Sequence, residues 1–217
     1  MRKDYPDIWW VDGLSGTFNS DKVVYKIRLS FKCRVDDIPD MHNEVLERAA
    51  DLIQLARCKT TAFEQLYVVQ SFISSVKYDL NNEDPYIRTV YGCLVNNRCV
   101  CTGMADCMKY FCDELNIHSN VVFGFALYPG ENKENECHAW NQIFVGEKWY
   151  WMDPTWNDQP FFKYFLLDDK HFLEDHLPNE KPATERCSSM ESNLYMMLHR
   201  YVTGRYPLSK VFDNIMN

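Results

Sequence analysis

Four cysteines lie close together near the middle of the chain, in the segment NNRCVCTGMADCMKYFCDEL that covers residues 96–115. They are Cys99, Cys101, Cys107 and Cys112. Such a cluster could bind zinc, form disulfide bonds or supply one reactive thiolate. Each of these functions needs a different arrangement of side chains, so the predicted secondary structure has to decide between them.

Zinc binding fits the spacing poorly. The pattern C-x-C-x5-C-x4-C differs from the paired C-x2-C of structural zinc sites. Apolar residues recur in steps of three and four after Cys101, which predicts a helix over residues 102–115. In that helix Cys107 and Cys112 point about 140° apart and do not converge on one ion. We therefore expect Cys112 to be a small core residue and Cys107 to lie on the flank of the helix.

Disulfide bonds are also disfavoured. Cys99 and Cys101 point to opposite sides if their segment is extended. The chain contains nine cysteines, and an odd number scattered along the sequence argues against a complete disulfide framework. Reduced thiols in a reducing or anaerobic environment fit this composition better.

Cys101 stands at the predicted start of the helix, at the head of its apolar stripe. The free N–H groups of a helix start carry partial positive charge and favour a thiolate over a thiol. Gly103 allows a backbone or a substrate to approach closely. These features suggest an activated sulfur nucleophile, provided that a histidine lies nearby.

A histidine and an aspartate occur in the later segment ECHAWNQIFVGEKWYWMDPTW. Gly146-Glu147 predicts a two-residue type II′ hairpin turn, which pairs Val145 with Lys148, Phe144 with Trp149, and Trp140 with Asp153. His138 and Asp153 are then diagonal neighbours on one face of the sheet, within side-chain reach. The alternative is a structural histidine and an aspartate that only forms a turn before proline.

Several tryptophans surround these two residues in the sequence, and two functions are open for them. They could pack within the sheet and core, or they could form a hydrophobic wall for an acyl donor. The candidates for substrate binding are Trp140, Trp151 and Trp156.

Composition and periodicity predict a single α+β domain. The 217 residues, 46% of them hydrophobic, can bury one core. The net charge of −8 gives no footprint for nucleic acid or an anionic membrane, and no apolar run is long enough to span a bilayer. The basic N-terminus lacks the apolar segment of a signal peptide.

We divide this domain into an N-terminal strand region (1–40), a core (41–157) and a C-terminal extension (158–217). Alternating residues in 16–35 predict a half-buried strand. Helices are expected from Met41, from Thr60 or Thr61 with a capping box to Glu64, and near residues 190–202.

Three blocks of the sequence resemble the transglutaminase-like superfamily: VCTGMADCMKYFCDELNI with FGFALYPG, then CHAW, then KWYWMDPTW. The resemblance covers about residues 85–157 and extends weakly to flanks like those of bacterial members. It implies a papain-like α+β core in which the nucleophile helix packs on an antiparallel sheet. It also implies that Cys101 is the nucleophile, His138 the base and Asp153 the carboxylate that orients His138. Met104 stands where an aromatic residue is common.

The resemblance implies cysteine-dependent acyl transfer on amide bonds of protein or peptide substrates through a thioester. Hydrolysis and transamidation would use the same residues. No calcium loop of the D-x-D-x-D-G kind is found, and we expect no cofactor and no metal. The alternatives are a non-catalytic interaction module that keeps the fold and, less favoured, a thiol-rich metal or redox protein. The oligomeric state is not indicated.

Overall fold

The computed structural model describes residues 4–80, 83–127, 135–157, 162–179 and 186–194, and they form an α+β fold, as predicted from the sequence. In chain order the helices are α1 (Ile38–Arg57), α2 (Ala62–Ile73), α3 (Val90–Leu94), α4 (Cys101–Glu114) and α5 (Asp169–Phe172). The strands are β1 (Val11–Phe18), β2 (Val24–Phe31), β3 (Lys77–Tyr78), β4 (Arg98–Cys99), β5 (Ser119–Leu127), β6 (Asn135–Val145), β7 (Lys148–Met152) and β8 (His176–Pro178).

The central sheet has four antiparallel strands in the order β7-β6-β5-β8. Alternate residues of β6 point to opposite faces of this sheet, as strand geometry requires. On one face Asn141 donates to the carbonyl of Ala105 in α4 at 3.0 Å. On the other face Trp140 packs against Phe172 of α5. Helices α4 and α5 therefore cover opposite sides of one sheet.

The larger core lies on the α4 side, where α1, α2 and α3 surround α4. Helix α2 begins with the capping box that the sequence predicts. Thr61 accepts from the Glu64 N–H, and the Glu64 carboxylate accepts from the Thr61 N–H at 2.9 Å. This cap fixes the start of α2. At the other end of the helix, Gln70 and the following residue Ser74 donate to the carbonyls of Pro154 and Asn157, which holds the chain just after Asp153.

The β6–β7 hairpin has the predicted register but a different turn. Val145 pairs with Lys148 and the ladder runs to the pair Asn141 and Met152, so it ends before the predicted pairing of Trp140 with Asp153. Gly146 and Glu147 both have positive φ, +55° and +64°. A type II′ turn needs positive φ only at its first central residue, so this is a type I′ turn and the predicted type was wrong.

The N-terminal strand region forms the hairpin β1–β2, and the prediction of a half-buried strand was wrong. All of β2 is exposed, including Tyr25 at 66% and Ile27 at 64%. Alternation in the sequence correctly indicated extended backbone, but it does not show whether another layer covers the apolar face.

The helices of the structure bear on two predictions, one about a membrane span and one about the last helix. In the part of the chain that the structure describes, no helix combines the length and apolar character needed to cross a membrane. The helix predicted near residues 190–202 lies largely outside the described residues.

Candidate active site

Cys101 is the first residue of α4, as the sequence predicts. The preceding residue, Val100, is extended and donates its N–H to the Ile87 carbonyl at 3.0 Å, which anchors the start of the helix. Gly103 permits this anchoring, because a Cβ there would lie 2.7 Å from Cys99 Cβ and 3.1 Å from the Ile87 carbonyl oxygen. The glycine therefore serves packing within the protein and not the approach of a substrate.

The surroundings of Cys101 favour its thiolate. The residue is only 8% exposed, and burial opposes ionisation, but a hydrogen bond and the charge of His138 outweigh it and lower the pKa of Cys101. The backbone N–H groups of Thr102 and Ala139 also donate to the sulfur and lower its pKa. Thr102 belongs to the helix start and Ala139 to β6, so both elements contribute to the anion site.

His138 connects Cys101 to Asp153. Its Nε2 lies 2.8 Å from Asp153 Oδ2, which leaves Nδ1 for the contact with the thiol. Burial lowers the proton affinity of the ring, but the hydrogen bonds to Asp153 and Cys101 overcome this and raise the pKa of His138 to about 10. The geometry thus favours an imidazolium beside a thiolate.

Asp153 uses its two oxygens for different purposes. Oδ1 accepts from the N–H groups of Thr155 at 2.8 Å and Trp156 at 3.3 Å, which forms the turn that an Asp-Pro sequence predicts. Oδ2 accepts from His138 and from a second histidine, His176, whose Nε2 lies 3.1 Å away. Burial raises the pKa of Asp153, but these two histidines lower it to about 2. Asp153 therefore both forms the turn before proline and orients His138.

His176 is the residue of this site that our sequence analysis did not identify. It lies in β8, which pairs with β5 at the edge of the sheet. Gly124 of β5 makes this pairing possible, because a Cβ there would lie 2.2 Å from the Leu177 carbonyl oxygen. The pairing joins segments about fifty residues apart, and no local spacing in the sequence indicates it.

The donor atoms of His138, Asp153 and His176 lie within 4.8 Å of one another, a separation also found around metal ions. Here each histidine nitrogen is bonded directly to the same carboxylate oxygen, and all three residues are buried. The two imidazole N–H groups and the carboxylate oxygen that accepts from them satisfy their hydrogen bonds without an ion. We interpret the group as a hydrogen-bond network.

The three candidate tryptophans have different positions. Trp140 and Trp151 are 0% and 2% exposed and pack around Phe172, in agreement with the packing alternative. Trp156 is half-buried, and its ring centroid lies 5.3 Å from that of His138. Of the three, Trp156 alone combines partial exposure with contact to the reactive group.

The other thiols of the cluster belong to the core. The prediction that Cys107 lies on the flank of the helix was wrong, because it is fully buried and contacts Cys93 of α3. Cys99 also contacts Cys93, whereas Cys112 is hydrogen-bonded to Ser119. Cys107 and Cys112 thus point to different neighbours, as expected from their spacing along the helix.

Comparison with known proteins agrees with the resemblance to the transglutaminase-like superfamily. The model of the transglutaminase-like superfamily core matches residues 50–154. Human kyphoscoliosis peptidase is 24% identical over 184 residues, which cover 73% of this chain and 27% of that protein. Mouse kyphoscoliosis peptidase is 29% identical over 98 residues, covering 37% of this chain and 15% of that protein.

Among solved structures, a TGase crystal structure superposes with a TM-score of 0.43 and 16% identity, covering 66% of this chain and 45% of that one. The family model matches residues 50–154, and this match confirms the resemblance seen in the three sequence blocks. The matched segment contains Cys101, His138 and Asp153. The chain spans about a quarter of the length of the human relative.

Proposed function

We propose that this protein catalyses cysteine-dependent acyl transfer on amide bonds of protein or peptide substrates. The observation that carries the proposal is the continuous contact from Cys101 through His138 to Asp153 at the start of a helix. A thiol, an imidazole and a carboxylate in that order form the arrangement of a nucleophilic triad.

In the first step the Cys101 thiolate attacks the carbonyl carbon of the amide. The new C–S bond forms as the carbonyl π electrons move to oxygen. When the tetrahedral intermediate collapses, the C–N bond breaks and the His138 imidazolium gives its proton to the departing nitrogen. A thioester on Cys101 and a neutral His138 remain.

In the second step water or an amine attacks the thioester, and His138 accepts a proton from the attacking group. Water gives an acid, and an amine gives a new amide bond. When the second tetrahedral intermediate collapses, the C–S bond breaks and Cys101 leaves as a thiolate beside the His138 imidazolium, which restores the starting state. Two relatives carry the name peptidase, which favours water as the acceptor here.

The oxyanion needs hydrogen-bond donors during both steps. The Cys101 N–H is one candidate, because the first N–H groups of a helix have no acceptor within the helix. The half-buried ring of Trp156 beside His138 is our candidate for a wall against the acyl group. We assign no second oxyanion donor.

The test uses unfolded protein substrates and a mixed peptide library, each incubated with and without a primary amine, and analysed by mass spectrometry. Hydrolysis would cleave peptide bonds or convert glutamine to glutamate, and transamidation would attach the amine. Cys101→Ala should abolish all products. Cys107→Ala is the matched control, since Cys107 is a buried thiol on the same helix without a contact to His138.

Two results would contradict the proposal. One is equal product formation by Cys101→Ala and the unmodified protein. The other is the absence of any product together with slow alkylation of Cys101, no faster than that of the exposed Cys58 and Cys137. The second result would favour the non-catalytic interaction module.

A further inference from the structure

His176 has a carboxylate at each of its ring nitrogens. Its Nε2 lies 3.1 Å from Asp153 Oδ2, and its Nδ1 lies 2.6 Å from Asp175 Oδ1. The other oxygen of Asp175 accepts from the Tyr164 hydroxyl at 2.6 Å. The ring is fully buried, and Phe172 stacks on it with centroids 4.0 Å apart.

This arrangement determines the protonation state of His176. An ionised carboxylate only accepts hydrogen bonds, so each of the two contacts needs a proton on the ring nitrogen. A neutral imidazole has one such proton and an imidazolium has two. His176 is therefore an imidazolium between two carboxylates, and burial, which disfavours its charge, is outweighed by Asp153 and Asp175 as they raise its pKa.

We infer that His176 is a positioning residue that acts on the reaction through Asp153. This inference rests on the proposed function, since both concern the same Cys101 thiolate. Its Nε2–H fixes the carboxylate oxygen that also holds His138, and its positive charge keeps Asp153 ionised. Both effects reach Cys101 without contact between His176 and the substrate.

The charge of His176 has a predictable sign of effect. The rings of His138 and His176 have centroids 5.9 Å apart. A cation at this distance favours loss of a proton from His138, and its charge acts with the same sign on Cys101, which His138 contacts. Removing the charge raises both pKa values, so the pH range in which thiolate and imidazolium coexist moves upward as a whole.

Other charged groups around His176 do not reverse the direction of these pKa changes. Lys163 lies near Asp175, and its Nζ is 3.3 Å from the Tyr164 hydroxyl. Glu174 acts on Tyr164 with a negative charge. Both remain in a His176 variant. Among the described residues, the other rings against His176, apart from His138, are the uncharged rings of Trp140, Trp156, Tyr164 and Phe172.

The experiment compares His176→Gln with His171→Gln and the unmodified protein. Glutamine keeps a donor for Asp153 but has no charge. His171 lies in α5, five residues earlier, and bonds Asp168 instead of Asp153, so it is the matched control. The readout is the rate of Cys101 alkylation by iodoacetamide from pH 4 to pH 10, with each cysteine followed separately by mass spectrometry.

We expect the acid midpoint of the Cys101 profile to move upward by about one pH unit in His176→Gln and to stay in place in His171→Gln. Below the acid midpoint this corresponds to an alkylation rate lowered about tenfold. An unshifted profile in a folded His176→Gln protein would overturn the inference. If Cys101 of the unmodified protein shows no enhanced reactivity, the proposed function fails instead.

A second measurement needs no variant and decides the matter if His176→Gln does not fold. Nitrogen-15 NMR of the unmodified protein at pH 7 should show protons on both ring nitrogens of His176. An unprotonated nitrogen on this ring would overturn the inference.

Discussion

Cys101 and Cys107 occupy the same helix, both are buried, and yet their environments favour opposite protonation states. Burial raises the pKa of Cys107, which is hydrogen-bonded to the thiol of Cys93. Cys101 is also buried, but His138 and two backbone N–H groups lower its pKa. Less than two turns of helix separate a thiol whose pKa is raised from one whose pKa is lowered.

The difference shows what would make a cysteine reactive in this protein. Burial alone stabilises the neutral thiol, because a charge loses its hydration. Reactivity appears only where a cation and oriented N–H groups replace that hydration. The position of Cys101 at the helix start, and not its membership of a cysteine-rich segment, gives it those partners. Four substitutions test this difference between Cys101 and Cys107.

The largest effect is expected for His138→Ala, which would convert Cys101 into a thiol like Cys107. Loss of the imidazolium should raise the Cys101 pKa and lower turnover roughly 10²–10⁴-fold. Alkylation of Cys101 at pH 7 should fall about a hundredfold, with Cys58 and Cys137 unchanged as internal standards. Retention of fast alkylation would show that the helix start alone forms the thiolate.

Asp153→Asn should reduce the difference between Cys101 and Cys107, because Asp153 orients His138. It should also change the free energy of unfolding in acid. The folded-state pKa of Asp153 is lowered from 3.8 to about 2, so its contribution is present above pH 4 and is lost as the pH falls to 2. That contribution is about 2 kcal/mol. Urea unfolding of both proteins at pH 6, 4 and 2 measures it.

The quantity to compare is the free energy of unfolding of the unmodified protein minus that of Asp153→Asn. The unmodified protein should be more stable at pH 6, and the advantage should shrink by about 2 kcal/mol by pH 2. A difference that is constant with pH would mean that folding does not lower the pKa of Asp153.

Gly103→Ala tests whether the placement of the helix start creates the difference between the thiols. The added Cβ would lie 2.7 Å from Cys99 Cβ, so α4 must shift. Overpacking of this kind costs about 1–3 kcal/mol. Thermal unfolding should show that loss, and alkylation of Cys101 should slow because the contact with His138 loosens. Unchanged stability would contradict the close packing described here.

The smallest effect is expected for Cys107→Ala, which removes the other member of the comparison. We expect a loss of about 1 kcal/mol in the free energy of unfolding, from the missing core contact with Cys93. The alkylation profile of Cys101 should not move, since Cys107 does not touch its partners. A shift of that profile would show that the core thiols tune the nucleophile.

The sequence predicted those parts of the site that depend on local geometry. The apolar stripe placed Cys101 at a helix start, and strand parity across a short hairpin brought His138 to Asp153. Both arguments need only the repeat of one element. The turn type was missed because Glu147 adopts positive φ, which residue type alone does not indicate.

Features that depend on distant contacts could not be predicted in the same way. Burial of Cys107 depends on α3 and Cys93, and the position of His176 depends on the pairing of β8 with β5. The exposure of the N-terminal hairpin is likewise a property of tertiary packing. Periodicity describes one element and does not indicate which other element covers it.

The most direct test of the central claim is the pH dependence of Cys101 alkylation in the unmodified protein. If an imidazolium stabilises the thiolate, Cys101 should react rapidly at pH 6, where an ordinary thiol, with a pKa of about 8.5, is almost entirely protonated. The exposed Cys58 and Cys137 provide the comparison within the same sample. A Cys101 rate that rises only at alkaline pH, alongside these two thiols, would contradict the account.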